Sequence, residues 1–354
     1  MNNNIIIYSL KIIFFTMLIS GLTTPIVKKI AIHINAMDMP ATRKVHKKPM
    51  PRLGGLAIFF AFLIGYMFFG ENTIQMNAIL IGSFIILLTG IIDDIHSLSP
   101  KDKLMGQLLS AGVIAFYGQI LLSNITFFGI NLEFGVLSYP ITILFIIACM
   151  NIINLIDGLD GLASGISAIF FATIVVICFF LGRTIGLDYI LTLIMLGSTL
   201  GFLIHNFYPA KIFLGDSGSM FLGFIISVIS LLGFKGTILT SVFIPLLILA
   251  VPILDTLFAI LRRFIHHQKV TDADKLHLHH QLLGMKFSHR NTVLIIYAVN
   301  ILFAIASIFY LLGEQVNIYV RIGVYFILFG LVFWFVNTTN IITEKQIKLP
   351  KKKK

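Results

Sequence analysis

The chain reads as an all-α polytopic integral membrane protein of about eleven transmembrane helices, N-terminus outside and C-terminus cytoplasmic. Three observations predict this. Hydrophobic residues make up 58% of the 354 and charged residues only 12%, about half the charged share of a soluble domain. The apolar residues fall in runs of roughly 17–25, the length a bilayer requires, parted by Gly, Pro or charge. Lys and Arg gather in alternate connections between those runs.

The predicted spans lie near 5–25, 54–70, 77–92, 104–122, 137–155, 162–181, 187–205, 219–234, 238–261, 292–312 and 319–337. The first opens MNNNIIIYSL without a basic start, and Lys28 and Lys29 follow it. That polarity predicts a retained helix rather than a cleaved leader. Residues 1–340 read as one membrane domain with cytoplasmic catalytic loops, because no hydrophilic block is long enough to fold alone. Residues 341–354 read as a basic tail whose KLPKKKK suits an anionic lipid surface. With connections alternating sides, every Lys and Arg except Lys11, Arg183, Lys235 and Arg321 falls on one side. By the positive-inside rule that side is cytoplasmic. The net charge of +11 is thereby explained by membrane lipid, and no nucleic-acid partner is expected. Cys149 and Cys178 sit in apolar runs and read as core residues.

The same side receives the carboxylates that end or open spans. Asp93 and Asp94 close the third run in GIIDDIHSLSP. Adjacent carboxylates repel and are comfortable as anions only near a cation or a positive helix end; a solvated helix end is the plainer reading. In NIINLIDGLDGLASG, Asn151, Asn154 and Asp157 step by three and share a helix face. Gly158 and Gly161 then break the helix beside Asp160. An oxygen-rich face of this kind suits a hard cation such as Mg²⁺, which keeps substrate phosphate in its shell; a polar cap with a Gly turn is the alternative. FLGDSGS places Asp216 in a small-residue turn entering a span, a setting for metal-phosphate or for a simple N-cap by Asp216 or Ser217.

Two basic segments accompany them. RKVHKKPMPRLGG carries Lys44, His46 and Arg52 and is stiffened by proline; it can bind lipid head groups or steer a phosphorylated lipid. The largest cytoplasmic connection begins at Arg262 and Arg263 and contains KLHLHH. His277 and His279, spaced by two, are expected to share a strand face, with His280 as a third imidazole. Alone this reads as a zinc site; beside oxygen-rich sites, Arg and His fit a pyrophosphate clamp better. Asp255 lies within or near a span and is a functional candidate by that fact, with Arg262, seven residues on, as the expected partner.

Six ordered motifs, RKVHKKPMPRLGG, GIIDD, NIINLIDGLDGLASG, FLGDSGS, PILDTLFAILRR and DADKLHLHH, make the chain resemble the polyprenyl-phosphate N-acetylhexosamine-1-phosphate transferase superfamily. The PRLGG loop and the LHLHH form resemble the UDP-GlcNAc branch rather than the phospho-MurNAc-pentapeptide branch. The resemblance implies an enzyme that joins undecaprenyl phosphate to GlcNAc-1-phosphate from UDP-GlcNAc with Mg²⁺, or Mn²⁺ in its place, and releases UMP. It implies Asp216, Asn154 and Asp157 at the metal, and Asp93, Asp94 and Asp157 at the chemistry. Lys44, His46 and Arg52 would receive the lipid phosphate. Asn151, Asp160, Asp255, Arg262, Arg263, His277, His279 and His280 would bind substrate. The expected setting is the bacterial inner membrane, as a multi-pass protein, with a homodimer allowed. A secondary transporter would show inverted repeats, which the sequence lacks. An intramembrane aspartyl protease would need carboxylates deep within spans rather than at their ends.

Overall fold

The computed structural model describes residues 3–40, 48–127, 130–234, 243–265, 277–312 and 318–338. Lys44, His46, Lys275 and the basic tail lie outside them. The chain forms two compact units, Met1–Pro245 and Leu246–Lys354.

The first unit runs α1 (Asn3–His33), a short hairpin β1 (Met37–Asp38) and β2 (Met50–Pro51), α2 (Gly54–Phe69), α3 (Ile74–His96), α4 (Pro100–Gly112), a hairpin β3 (Asn124–Phe127) and β4 (Ile130–Glu133), α5 (Ser138–Ile156), α6 (Leu162–Phe180), α7 (Leu187–Asn206) and α8 (Gly215–Phe234). Then α9 (Phe243–Ile248) leads to the second unit, which holds α10 (Ala250–Ile265), α11 (Leu278–Gly284), α12 (His289–Leu312) and α13 (Ile318–Thr338). Among the described residues, the regular structure apart from the two small strand pairs is helical. Among the described residues, seven helices are long and apolar enough to cross a membrane: α1, α3, α5 with the turn before it, α6, α7, α8 and α12. The chain is an all-α polytopic membrane protein.

The expected spans meet helices in order, with three differences of physical origin. The run 238–261 is broken at Leu249 into α9 and α10. Pro252 has no N–H for the carbonyl four residues back, at Ile248, and its ring crowds that carbonyl; the ladder resumes as Ile253 donates to Leu249 at 3.0 Å. The run 104–122 starts earlier, at Pro100, and finishes as a wider π turn over Val113–Tyr117. The connection that follows is a paired hairpin, with Asn124 opposite Glu133.

Helix α8 is the centre of the first unit. Of its most apolar stretch, 89% is buried, and it packs against α2, α3 and α5. Bare backbone makes the close approaches possible. A Cβ on Gly90 of α3 or on Gly55 of α2 would collide with the backbone of Ser217 or Gly218 at the start of α8. The amides of Gly54 and Gly55 donate to the carbonyls of Phe213 and Leu214, each at 3.0 Å. The start of α2 is thereby satisfied by the strand that leads into α8. Arg52 and Phe213 form an isolated parallel bridge beside it. Cys149 and Cys178 are buried and free, as core residues.

Candidate active site

Everything at this site hangs on the first turn of α8. Gly215 has φ 74°, and a Cβ there would come within 2.5 Å of Asp94 Oδ2; only glycine accepts both conditions without strain. Asp94, from the last turn of α3, reaches across to α8. Its Oδ1 accepts from the Asp216 amide at 2.9 Å. Its Oδ2 accepts from the Ser217 amide at 3.1 Å and the Ser217 hydroxyl at 2.8 Å. The carboxylate caps a helix to which it does not belong, satisfying orphan amides and facing the positive end of the dipole. Arg52 Nη2 lies 3.0 Å from Asp94 Oδ1, and the Asp94 side chain is fully enclosed. Sequence spacing offers Asp216 or Ser217 as the cap; the cap is Asp94.

Asp93, one residue earlier, points elsewhere. Its Oδ1 accepts from the Leu98 amide at 2.6 Å, closing the turn that Ser97 makes with φ 47°. Its Oδ2 meets Lys103 Nζ at 3.1 Å, and that ammonium also meets Asp216 Oδ2 at 2.9 Å. Ser99 caps α4 by accepting from the Asp102 amide at 3.3 Å, with Pro100 opening the helix. This fixes the root of Lys103. The other Asp216 oxygen, Oδ1, accepts from Asn154 Nδ2 at 2.7 Å, and Asn154 also donates to Ser219 at 2.8 Å. Asn154 is thus engaged in aiming Asp216. Asn151, one turn earlier, pairs instead with Gln107 of α4 through both amide atoms, at 3.2 and 3.1 Å.

Asp157 follows α5 directly. Its residue edge is partly exposed, yet burial of the carboxyl, then the charges of Asp216 and Asp94, push it well above the usual carboxylate range. Burial would lower the Arg52 guanidinium, but Asp94, Asp216 and Asp38 outweigh it and raise it. Burial opposes the Lys103 ammonium too, and Asp216 and Asp93 raise it. Asp160 accepts from the Ala210 amide at 2.9 Å, so it braces the loop between α7 and α8. Aspartates, asparagine, arginine and lysine from four helices and a strand thus meet within the first unit.

The second unit carries its own cluster. The expected strand face for the histidines is corrected to a helix: His277 precedes α11, and His279 and His280 lie in its first turn. The sequence HLHHQLLG has β-like alternation for only three residues before a helical run takes over. The His277 and His279 rings stack at 5.8 Å, and His279 and His280 meet at 4.2 Å. Burial, then neighbouring His280, His277 and His289, hold His279 well below the ordinary imidazole value. Asp255 accepts from His277 Nδ1 at 2.9 Å and from the Leu278 amide at 2.8 Å. These are the partners described for it, where spacing names Arg262. Arg262 and Arg263 lie in the last turn of α10, Arg262 buried and Arg263 half-buried.

Sequence reasoning missed Lys103, Gln107 and Asp38. Lys103 and Gln107 were findable: they sit four apart on a helix opened by Ser-Pro-Lys-Asp, immediately after the paired aspartates. Asp38, 3.4 Å from Arg52, left no such signal.

Among the described residues, no three His, Cys, Asp or Glu form a ready metal cage. The donor set nevertheless fits one kind of ion. Carboxylate oxygens of Asp93 and Asp216, from different helices, close on a single cationic atom, the Lys103 nitrogen. Anionic oxygens that share one cation suit a hard dication, and Mg²⁺ takes one or two carboxylates and completes its shell from phosphate and water.

A helical membrane protein with carboxylates and cations gathered at helix ends fits the class to which its relatives belong, the polytopic membrane phosphotransferases. The chain belongs to glycosyl transferase family 4, whose model matches residues 76–234. That stretch holds Asp93, Asp94, Lys103, Asn154, Asp157 and Asp216 but not Arg52 or the second unit. The chain is 45% identical over 325 residues (91% of this chain, 89% of the relative) to a protein of Bacillus subtilis (strain 168) named probable undecaprenyl-phosphate N-acetylglucosaminyl 1-phosphate transferase. It is 33% identical to the decaprenyl-phosphate N-acetylglucosaminephosphotransferase of Mycobacterium tuberculosis (strain ATCC 25618 / H37Rv), over 79% of this chain and 77% of that one. The phospho-N-acetylmuramoyl-pentapeptide-transferase of Anoxybacillus flavithermus (strain DSM 21510 / WK1) is 30% identical, over 87% and 98%. Phosphotransferases of this family are generally metal-dependent.

Proposed function

We propose that this protein transfers GlcNAc-1-phosphate from UDP-GlcNAc to undecaprenyl phosphate, giving undecaprenyl-diphospho-GlcNAc and UMP, as the first membrane step of a cell-envelope glycan pathway. The reaction takes place at the cytoplasmic face of the bacterial inner membrane. The observation that carries the chemistry is the meeting of Asp93 and Asp216 on one cation, flanked by Arg52. The relatives' names support a polyprenyl-phosphate acceptor and an N-acetylglucosamine phosphate group; UDP-GlcNAc as the donor is part of the proposal.

The step is a direct displacement. An oxygen of the lipid phosphate attacks the β-phosphorus, the bond from that phosphorus to the bridging oxygen breaks, and UMP leaves with the electron pair. Mg²⁺, when bound, offsets the charge that builds on the diphosphate oxygens. Asp216 is the leading ligand, aimed by Asn154, with Asp93 opposite and Asp157 close by. Arg52 and Lys103 add positive charge for phosphate oxygens. Lys44 and His46 are assigned to the lipid phosphate on charge alone. Arg262, Arg263, His277, His279 and His280 are assigned to the nucleotide on the same ground, as donors suited to a diphosphate. Strong basicity is not required, since a phosphate monoester ionises with a second pKa of about 6. Asp94, enclosed and holding four donor groups, is a poor nucleophile, which counts against an aspartyl-phosphate path through it; trapping of ³²P from the β-phosphate on denatured protein would reveal such a path through Asp93 or Asp157.

Membranes containing the protein, incubated with UDP-[³H]GlcNAc, Mg²⁺ and undecaprenyl phosphate, should move label into the organic phase. EDTA and Asp216→Asn should each remove it, the latter by about 10²-fold or more. Absence of transfer from every UDP-N-acetylhexosamine in a panel would overturn the assignment.

A further inference from the structure

Lys103 occupies the point on which the two candidate ligands converge. Its ammonium lies 3.1 Å from Asp93 Oδ2 and 2.9 Å from Asp216 Oδ2, the spacing of charge-assisted hydrogen bonds. The side chain is at the margin of the site, with 19% of its surface exposed. Arg52 differs: its planar fork is tied to Asp38 and Asp94. A lysine presents a point charge on a flexible four-carbon stem, and here the stem rises from a helix start held by Ser99 and Pro100. The root is fixed and the charge is mobile.

We infer that Lys103 is a displaceable counter-ion. It neutralises Asp93 and Asp216 while no divalent ion is bound, and it leaves them when one enters, free to pair with a phosphate oxygen. The inference rests on reading this as a metal site. The physical ground is competition. A dication and an ammonium cannot both sit on the same two oxygens, because like charges that close repel strongly in a water-poor setting. The ion with the higher charge and the shorter oxygen contacts takes the place. In its absence the lysine prevents two carboxylates from facing each other bare, so the start of α8 stays formed. A lysine that bridged Asp93 and Asp216 permanently would make the opposite prediction for metal affinity, since its loss would loosen the ligands.

The full-length protein in detergent, without nucleotide, decides between them. Mn²⁺ binding is read from the loss of the free-ion paramagnetic resonance signal. Lys103→Met should bind Mn²⁺ about ten- to a hundredfold more tightly than wild type, the factor that corresponds to removing a competing charge-assisted hydrogen bond. Its thermal midpoint without metal should be lower than wild type, and the rise on adding Mg²⁺ larger. A second measurement needs no variant: amine acylation of wild-type Lys103, followed by mass spectrometry, should increase at saturating Mg²⁺. Equal or weaker Mn²⁺ binding by the variant, or wild-type Lys103 no more reactive with Mg²⁺, overturns the inference. Wild-type protein that binds no Mn²⁺ at all would instead remove the metal-site reading beneath it.

Discussion

Aspartates that look alike in sequence divide here by what they hold. Asp94, Asp160 and Asp255 accept from backbone amides of distant segments. Asp93 and Asp216 share one ammonium, that of Lys103, whereas the cation beside Asp94 is Arg52. The sequence makes the residue types legible but not this division, because a carboxylate suits a metal and a helix start equally well, and only chain geometry decides which comes within 3 Å. The division gives a paired prediction. Asp94→Ala leaves three donors at the start of α8 unsatisfied and takes one of the carboxylates beside Arg52, which keeps Asp38 and Asp216, so it should cost about 3 kcal/mol and lower the thermal midpoint with or without Mg²⁺. Asp93→Asn keeps an acceptor for Leu98 and should fold near wild type, but lose most of its Mg²⁺-induced shift and its transfer activity. Thermal unfolding of both variants, with and without Mg²⁺, tests the pair. Equal behaviour would erase the distinction.

Elements were legible wherever an apolar run was long. Nearly every expected span coincides with a helix, because length and hydropathy report bilayer crossing directly. What escaped were local events that hydropathy does not sense: the Pro252 break, the π turn, the hairpin at 124–133, and a helix in place of a strand at the histidines. Glycine contacts between helices also escaped, since a run of Gly reads alike whether it faces lipid or another backbone. Gly215→Ala adds a left-handed strain of about 1–2 kcal/mol and a collision with Asp94. It should therefore reduce both stability and activity. Gly323→Ala and Gly330→Ala meet nothing within 4 Å, so they should leave the midpoint unchanged or slightly raised, as helix propensity directs. Expression and thermal midpoints of the three in detergent check this.

The whole molecule was legible as a membrane protein from composition, and the candidate site partly so: residues of three motifs do come together, while the lysine that joins two of them was read only as loop charge. Its orientation remains a consequence of charge counting, and it makes a test. Single cysteines at Lys101 and Lys211, in a chain with Cys149 and Cys178 replaced by Ala, should be labelled by a membrane-impermeant maleimide only in inside-out vesicles. Labelling of either from the outer side would reverse the assignment. The same scale sets the response to pH. Because the Asp157 carboxyl titrates higher in the fold than its ordinary value of 3.8, the folded state binds more protons in that interval. Stability therefore falls as pH climbs from the ordinary carboxylate value through the raised one. A dication favours the ionised form, so Mg²⁺ should flatten that fall and release protons on binding. Midpoints across pH, with and without Mg²⁺, show the sign.

Arg52 and Phe213 are next to each other in one short ladder, and Phe213 stands three residues before Asp216. Neighbouring positions on an extended strand face opposite ways, so the two charges are aligned by counting residues rather than by their own attraction. Deleting Pro51 would shift that register by one residue and turn the guanidinium from the carboxylates. The spelling of that brief stretch, not its composition alone, keeps positive and negative in step.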